Sequence, residues 1–405
     1  MSEKNKKKKW MRFRHRIVRN LAYVVLYPYS RIRYGITIEK FKEQENRPYL
    51  ILYNHQTAFD QFFVGMAFKG PVYYLATEDI FSLGWISSVI KFIVAPIPIK
   101  KQTTDVKAIL NCIRVSKEGG TIAIAPEGNR TYSGKTEYIN PAIVPLVRKL
   151  GLPIALFRLE GGYGVHPRWS DVVRRGKMRG FVSRVISPDE YKDLTDSELA
   201  EIINSELFVN EAVADAEFHH KRLAEYLERA IYVCPDCGLS RFESFGDVIE
   251  CKKCGKQVRY LPTKQLSGIG FDFPFEFVTD WYDYQKDFIN RLPLEDMNDD
   301  PLYEDTAEMR EVIVYEKKVL LHRLANITLC KDRIVVSADG TEYSFTFDDT
   351  SAVTVLGKNK LNIYHNKRVY QLKGDVRFNA LKYVNIFNRY KNIKNGDKDG
   401  EFLGL

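Results

Sequence analysis

The sequence predicts an α/β domain, then a small cysteine-bearing ribbon, then a small mostly-β domain, and three features carry that reading. Short apolar runs alternate with amphipathic stretches through the first half of the chain. Two Cys-x-x-Cys pairs follow, and beyond them segments of strand-like alternation end in one amphipathic stretch. With 405 residues, 45% of them apolar and 28% charged, the chain can bury more than one core and does not have a disordered composition.

The charge sits at one end. From Met1 to Arg33 there are eleven Lys or Arg and one acidic residue, so the remainder of a chain of net charge +9 sums to about −1. This basic run continues into Leu21-Ala-Tyr-Val-Val-Leu-Tyr-Pro-Tyr29, too short an apolar stretch to span a bilayer. Residues 1–35 therefore read as a membrane-anchoring arm, where each Lys or Arg near anionic lipid contributes roughly 1 kcal/mol.

Residues 36–230 read as the α/β domain. Tyr49–Tyr53, Val72–Ala76, Thr121–Ala125 and Pro153–Phe157 have the apolar character of buried strands. Thr104–Lys117 has helical spacing and stops at Gly119-Gly120, while Ile80–Ile99 breaks into a helix and a strand and does not form a span. Leu194–Tyr232 reads as helical and charged, with His219 and His220 on it. Cys112 reads as core.

Cys234, Cys237, Cys251 and Cys254 form two knuckles, each with Gly after its second Cys, thirteen residues apart. Four thiolates suit a closed tetrahedral site, so residues 231–260 read as a ribbon around structural zinc, with no redox cofactor and a reducing compartment implied. Pro262, Pro274, Pro293 and Pro301 punctuate an acidic, aromatic stretch, 261–309, read as an extended linker. Residues 310–392 read as a small antiparallel β domain closed by the helix Val376–Tyr390, a pleckstrin-homology-like pattern, with 393–405 as a tail.

Two constellations carry chemistry. Asn54-His-Gln-Thr-Ala-Phe-Asp60 follows a buried strand, and a His with a carboxylate to fix its tautomer is a general-base pair. Five residues apart on one helix, the two side chains would diverge by about 140°. His55 must therefore precede the helix and Asp60 lie in its first turn, with Thr57 and Asp60 as a Thr-x-x-Asp cap. Ala125-Pro-Glu-Gly-Asn-Arg130 also follows a strand, placing a guanidinium where ligands gather in open α/β sheets.

In this order and spacing the motifs resemble the glycerolipid acyltransferase family, whose type members are bacterial 1-acylglycerol-3-phosphate acyltransferases. The family's Asn-His-x-Ser-x-x-Asp block is matched at Asn54, His55, Thr57 and Asp60, with Thr in place of Ser. Its Phe-Pro-Glu-Gly-Thr-Arg block is matched at Pro126, Glu127, Gly128 and Arg130. Pro96–Lys101 is similar to the second block, with Lys101 where Arg is usual, and Leu152–Phe157 keeps half of the fourth. The resemblance covers roughly residues 36–230. It implies that His55 deprotonates an acceptor hydroxyl that attacks a thioester, and that Asp60 orients His55. Lys101, Glu127, Gly128 and Arg130 would bind the glycerol and phosphate of the acceptor.

The expected donor is acyl-CoA or acyl-carrier protein, and the expected acceptor a lysophospholipid, most simply 1-acylglycerol-3-phosphate, in phospholipid synthesis. Another lyso-lipid or a glycolipid is the alternative acceptor. The expected location is the cytoplasmic face of the cell membrane, peripheral or monotopic. A zinc-ribbon protein that binds nucleic acid is the reading from another class. It predicts a basic body, which a sum of about −1 does not provide.

Overall fold

The computed structural model describes residues 9–42, 48–82, 85–99, 105–313 and 316–396. The chain divides into two compact units: Met1–Asn129, Ile139–Glu160 and Met178–Val209 form the first, and Arg130–Tyr138, Gly161–Lys177 and Asn210–Leu405 the second. The expected α/β boundary at 36–230 therefore does not match. Two internal segments and everything beyond Val209 pack with the C-terminal half.

The first unit is built on a seven-stranded sheet: β1 (Ile36–Ile38), β2 (Leu50–Tyr53), β3 (Val72–Thr77), β4 (Ile97–Ile99), β5 (Thr121–Ile124), β6 (Ile154–Glu160) and β7 (Met178–Ile186). The strand order is β1-β7-β6-β2-β5-β3-β4, and every pairing is parallel except β6 with β7. Leu50, Ile51, Leu52, Ile122, Ala123, Ile154, Ala155, Leu156 and Phe157 are all buried, which is why these runs lack polar alternation.

Helices α1 (Phe13–Tyr34), α2 (Asp60–Ala67), α3 (Trp85–Ile93), α4 (Val106–Lys117) and α5 (Ile143–Leu150) belong to this unit. The one-turn α6 (Gly162–Val165) lies in the second, and α7 (Pro188–Tyr191) and α8 (Asp196–Leu207) return to the first. Local chemistry sets the ends: Asp105 accepts from Ala108 N at 3.1 Å to start α4, and Thr195 with Glu198 forms a capping box on α8. Cys112 lies in the buried face of α4, where burial pushes its thiol up to about 12, as expected for core.

The basic arm is more ordered than a tether. Among its described residues, α1 buries His15, Ser30 and Tyr34; His15 Nδ1 lies 3.0 Å from Tyr73 Oη, and Arg19 donates to Phe68 O at 2.5 Å. Its opposite face leaves Phe13, Ile17, Leu21, Val24, Val25 and Ile32 exposed. No described helix is long and apolar enough to cross a membrane.

In the second unit the hairpin β8 (Val233–Cys234) and β9 (Gly238–Leu239) precedes a four-stranded antiparallel sheet: β10 (Phe242–Phe245), β11 (Val248–Cys251), β12 (Gln257–Tyr260) and β13 (Leu266–Gly268). The ribbon thus extends past residue 260. The presumed linker is not one, because α9 (Val278–Asn290) occupies its centre. Trp281 of α9 is buried, donates to Val233 O at 2.8 Å and packs edge-on against Phe273 and Phe242. Conversely, the helical spacing of 194–232 is realised as α-helix only through Leu207, with a single 3-10 turn at Leu227–Arg229. His219 lies in an irregular segment bridged to Arg175, and neither histidine joins the cysteine group.

The C-terminal sheet starts at Tyr303, seven residues before the expected 310, since its first strand pairs along its length with the second. Its strands are β14 (Tyr303–Ile313), β15 (Lys317–Leu329), β16 (Arg333–Ala338), β17 (Thr341–Thr346), β18 (Thr350–Leu356), β19 (Lys360–His365) and β20 (Arg368–Gly374). They run antiparallel in the order β17-β16-β15-β14-β20-β19-β18, followed by α10 (Leu381–Lys394). The sheet curls, bringing Phe345 of β17 within 5.0 Å of the Tyr370 ring of β20.

If 278–290 is core and not linker, Trp281→Ala should cost about 3–5 kcal/mol of unfolding free energy in urea titration. A loss within about 0.5 kcal/mol, as at an exposed site, would overturn that placement.

Candidate functional site

Strand pairing builds the site. β2 and β5 are parallel neighbours with a constant register, Leu50 opposite Ile122 and Leu52 opposite Ile124, an offset of 72 residues. Continued past both strands, that offset puts Glu127 opposite His55, and the His55 main-chain N–H donates to Glu127 Oε1 at 2.7 Å. Asn54 fixes the other side by donating to Leu159 O at 2.8 Å and accepting from Leu159 N at 2.7 Å. The loop after β2 is thereby held by both neighbouring strands at the carboxyl edge of the sheet.

His55 precedes α2 by five residues and Asp60 is the first residue of that helix, so the expected condition for their pairing is met. His55 Nδ1 and Asp60 Oδ2 are 2.7 Å apart. Asp60 is fully buried, and its carboxylate also accepts from Gln56 N at 2.7 Å, Thr57 N at 2.9 Å and Thr57 Oγ1 at 2.6 Å. Asp60 Oδ2 already accepts from two main-chain N–H groups, so Nδ1 donates to it and Nε2 is the ring atom left to accept. The His55 side chain is 21% exposed against 0% for Asp60, so the imidazole remains accessible while its partner is sealed.

One expectation is corrected here. Thr57 and Asp60 do not form a helix cap; the residue preceding α2 is Phe59, with no side-chain cap. Thr57 Oγ1 instead accepts from Phe59 N at 3.1 Å and donates to Asp60, because the carboxylate is already taken by upstream amides. The Tyr53 ring stands edge-on to His55 at 6.0 Å, and burial, with Asp60 and Glu127 nearby, pushes its phenol well above the ordinary range. Tyr53 is a neutral wall beside the base.

The remaining expected residues are spread. Glu127 is buried and engaged with the His55 main chain, which gives it a positioning role. Gly128 has φ +70°, where a side chain would be strained, and its N–H closes the turn onto Ala125 O at 3.0 Å. Arg130 falls in the second unit, and Lys101 lies outside the described residues. Arg168, absent from every recognised motif, donates to Arg130 O at 2.9 Å. No sequence pattern marks it.

The four cysteines of the knuckles converge. The Sγ atoms of Cys234, Cys237, Cys251 and Cys254 all lie within 4.8 Å of one another, with Cys234 and Cys254 at 3.9 Å. A tetrahedral metal at the usual metal–sulfur distance requires sulfurs about 3.8 Å apart, so the group could hold one ion. Gly238 and Gly255 have φ of +68° and +74°, the left-handed turn each knuckle needs behind its second cysteine.

Known proteins are similar along the first half of the chain. Residues 35–157 match the model of the Acyltransferase family. A chloroplastic 1-acyl-sn-glycerol-3-phosphate acyltransferase of Arabidopsis thaliana is 23% identical over 184 residues, 43% of this chain and 49% of that protein. One from Brassica napus is 22% identical over 205 residues, 48% of this chain and 57% of that protein. The chain spans about half the length of these curated relatives. The crystal structure of the 1-acyl-sn-glycerophosphate acyltransferase PlsC from Thermotoga maritima is 19% identical, covering 48% of this chain and 80% of that one at a TM-score of 0.39. The stretch that matches the Acyltransferase family model, residues 35–157, carries the His55–Asp60 pair and Glu127.

Proposed function

We propose that the protein is an O-acyltransferase that moves a fatty acyl group from a thioester, acyl-CoA or acyl-carrier protein, to the free hydroxyl of 1-acylglycerol-3-phosphate. The observation that carries this is the buried Asp60 carboxylate 2.7 Å from His55 Nδ1, inside a stretch matching the acyltransferase family. His55 Nε2 takes the hydroxyl proton as the oxygen attacks the thioester carbonyl. The tetrahedral intermediate collapses with cleavage of the carbon–sulfur bond, and the proton passes from His55 to the departing thiolate. The products are an ester and a free thiol. Arg130, and Lys101 with it, would bind the phosphate of the acceptor.

In this reading the reaction takes place at a membrane surface. Supporting this, α1 exposes an apolar stripe from Phe13 to Ile32, α3 exposes Trp85, Ile86 and Phe92, and Arg14 stacks over Phe92 at 4.0 Å. Apolar helix faces bordered by arginine suit an anionic lipid interface. The four-cysteine group is proposed to hold one structural zinc. A four-strand meander joined through its first strand to a three-strand meander, then a helix, supports a pleckstrin-homology-like reading of the C-terminal domain.

His55→Ala should lower turnover with lysophosphatidate by about 10²–10⁴-fold while thermal unfolding and donor binding persist. Activity within a few-fold of wild type in the folded variant would sink the mechanism, and transfer to other lyso-lipids alone would change the acceptor.

Wild-type protein should cosediment with phosphatidylserine-containing vesicles, and removal of residues 1–16 should weaken that binding, more so as salt rises. Equal binding by both forms would refute the arm as an anchor.

Metal analysis should give one zinc per chain, lost in Cys251→Ser, with new proteolysis between about Arg229 and Tyr260, since structural zinc binding is folding free energy. Tyr132 and Trp169 share one buried cluster with Cys234 and Cys251, so the loss should reach Arg130 and raise the acceptor KM. A metal-free variant with unchanged proteolysis would exclude a structural site.

A further inference from the structure

The chain entering α1 is pinned within the first unit by a set of polar contacts. Trp10 Nε1 donates to Ala95 O, the Met11 N–H to Glu118 Oε2 and Arg14 Nε to Phe92 O, each at 2.9 Å, and His15 Nδ1 lies 3.0 Å from Tyr73 Oη. These contacts hold Trp10 and Met11 half-buried against the core of the sheet. Of these, only the His15 contact contains a side chain that ordinarily changes charge between about pH 5 and 8. His15 is 3% exposed, and its Nε2 is buried without a hydrogen-bond partner among the described residues.

That geometry suits a neutral ring and not a charged one. With its proton on Nδ1, a neutral imidazole donates to Tyr73 and leaves only a bare lone pair on Nε2. An imidazolium adds a charged N–H at Nε2, and burying that donor unmet costs more than burying a lone pair. The neighbours add to the cost. Burial first, then Arg14 and Arg12 on either side, holds the His15 imidazole below its ordinary value. Tyr73, facing it from β3, is pushed up to about 12 by burial and by Glu118, so it stays neutral. Glu118, at the end of α4, accepts from the Met11 N–H and from Arg114 Nε, and Lys91 of α3 lies over the Phe81 ring at 5.3 Å. The docked chain therefore binds fewer protons than the released one. Docking is strongest above about pH 6.5 and weakens as pH falls below it.

We propose that His15 is a proton-operated latch: neutral, it holds the chain entering α1 against β3, and protonated, it frees Trp10 and Met11 to join the exposed apolar stripe of α1 at a lipid surface. The lipid half rests on the membrane reading of α1. A tryptophan and a methionine beside basic residues suit the interface they would enter. Such a surface also supplies the trigger. An anionic leaflet at about −30 to −50 mV concentrates protons roughly three- to sevenfold beside it, so the latch opens where the anchor is needed.

The test is hydrogen–deuterium exchange of residues 10–19 in the full chain, corrected for the intrinsic effect of pH. Between about pH 7.5 and 5.5, wild-type protection should fall by up to about tenfold, the limit for one imidazole of ordinary value about 6.5. His15→Gln keeps a polar partner for Tyr73 and does not titrate, so its protection should be equal at both values. His15→Phe carries the comparison if the glutamine variant does not fold. Wild-type protection that ignores pH, or an equal fall in the variants, would overturn the latch. Cosedimentation with phosphatidylserine-containing vesicles reads the lipid half. Wild type should bind more tightly at the lower pH, by at most about tenfold, and His15→Gln equally at both. Binding that ignores pH while exchange responds would overturn release toward lipid. No vesicle binding at either pH would instead sink the membrane reading of α1.

Discussion

The site depends on the parallel pairing of β2 with β5. Two adjacent parallel strands deliver their following loops to the same edge of the sheet, and a shared register then decides which residues meet. Because the offset of 72 residues persists beyond the strands, Glu127 meets the His55 main chain at 2.7 Å without any side chain having to search for it. Both strands are buried, and sliding β2 by one residue would turn Leu50, Ile51 and Leu52 each to the opposite face against new neighbours. The geometry around His55 is here a by-product of core packing.

Asp60 completes what the strands begin. The fully buried Asp60 side chain sits at the start of α2 and accepts from two upstream amides, a hydroxyl and the imidazole, bonds that offset the cost of its burial. Charge-assisted bonds of this kind are about twice as strong as neutral ones, and a helix N-terminus favours negative charge. The same bonds hold the chain from His55 to Thr57 in a tight turn. The Asp60 side chain therefore orients the imidazole and shapes the loop that presents it.

Much of this was legible in the sequence. The strands around residues 50, 72, 121 and 154 were marked by unbroken apolar runs, and the spacing from His55 to Asp60 required the pre-helix placement that the structure has. The four cysteines announced their convergence through Cys-x-x-Cys spacing. What was not legible depends on tertiary contact. Prolines at 262, 274, 293 and 301 suggested an extended linker, but α9 is held by burial of Trp281 against residues distant in sequence, which no local pattern records. Thr57 looked like a cap because spacing alone cannot say which donors a carboxylate will already have accepted. The helical period beyond Leu207 failed because that stretch pairs with distant backbone, as His219 does with Arg175.

Chain order also concealed how the stretch around Arg130 is supported. The stretch Glu127-Gly-Asn-Arg130 reads as one unit, yet the first compact unit ends at Asn129 and Arg130 begins a segment that packs with the C-terminal half. Gly128, at φ +70°, supplies the turn. Beyond it, Tyr132 enters the same buried cluster as Trp169, Cys234 and Trp281, and Ser133 O accepts from Thr279 Oγ1 at 2.9 Å. The main chain of Arg130 is thus fixed by residues contributed after position 160. The ribbon and α9 share the core that the chain enters after Arg130, whereas the His55–Asp60 pair is set by β2, its neighbours β5 and β6, and α2.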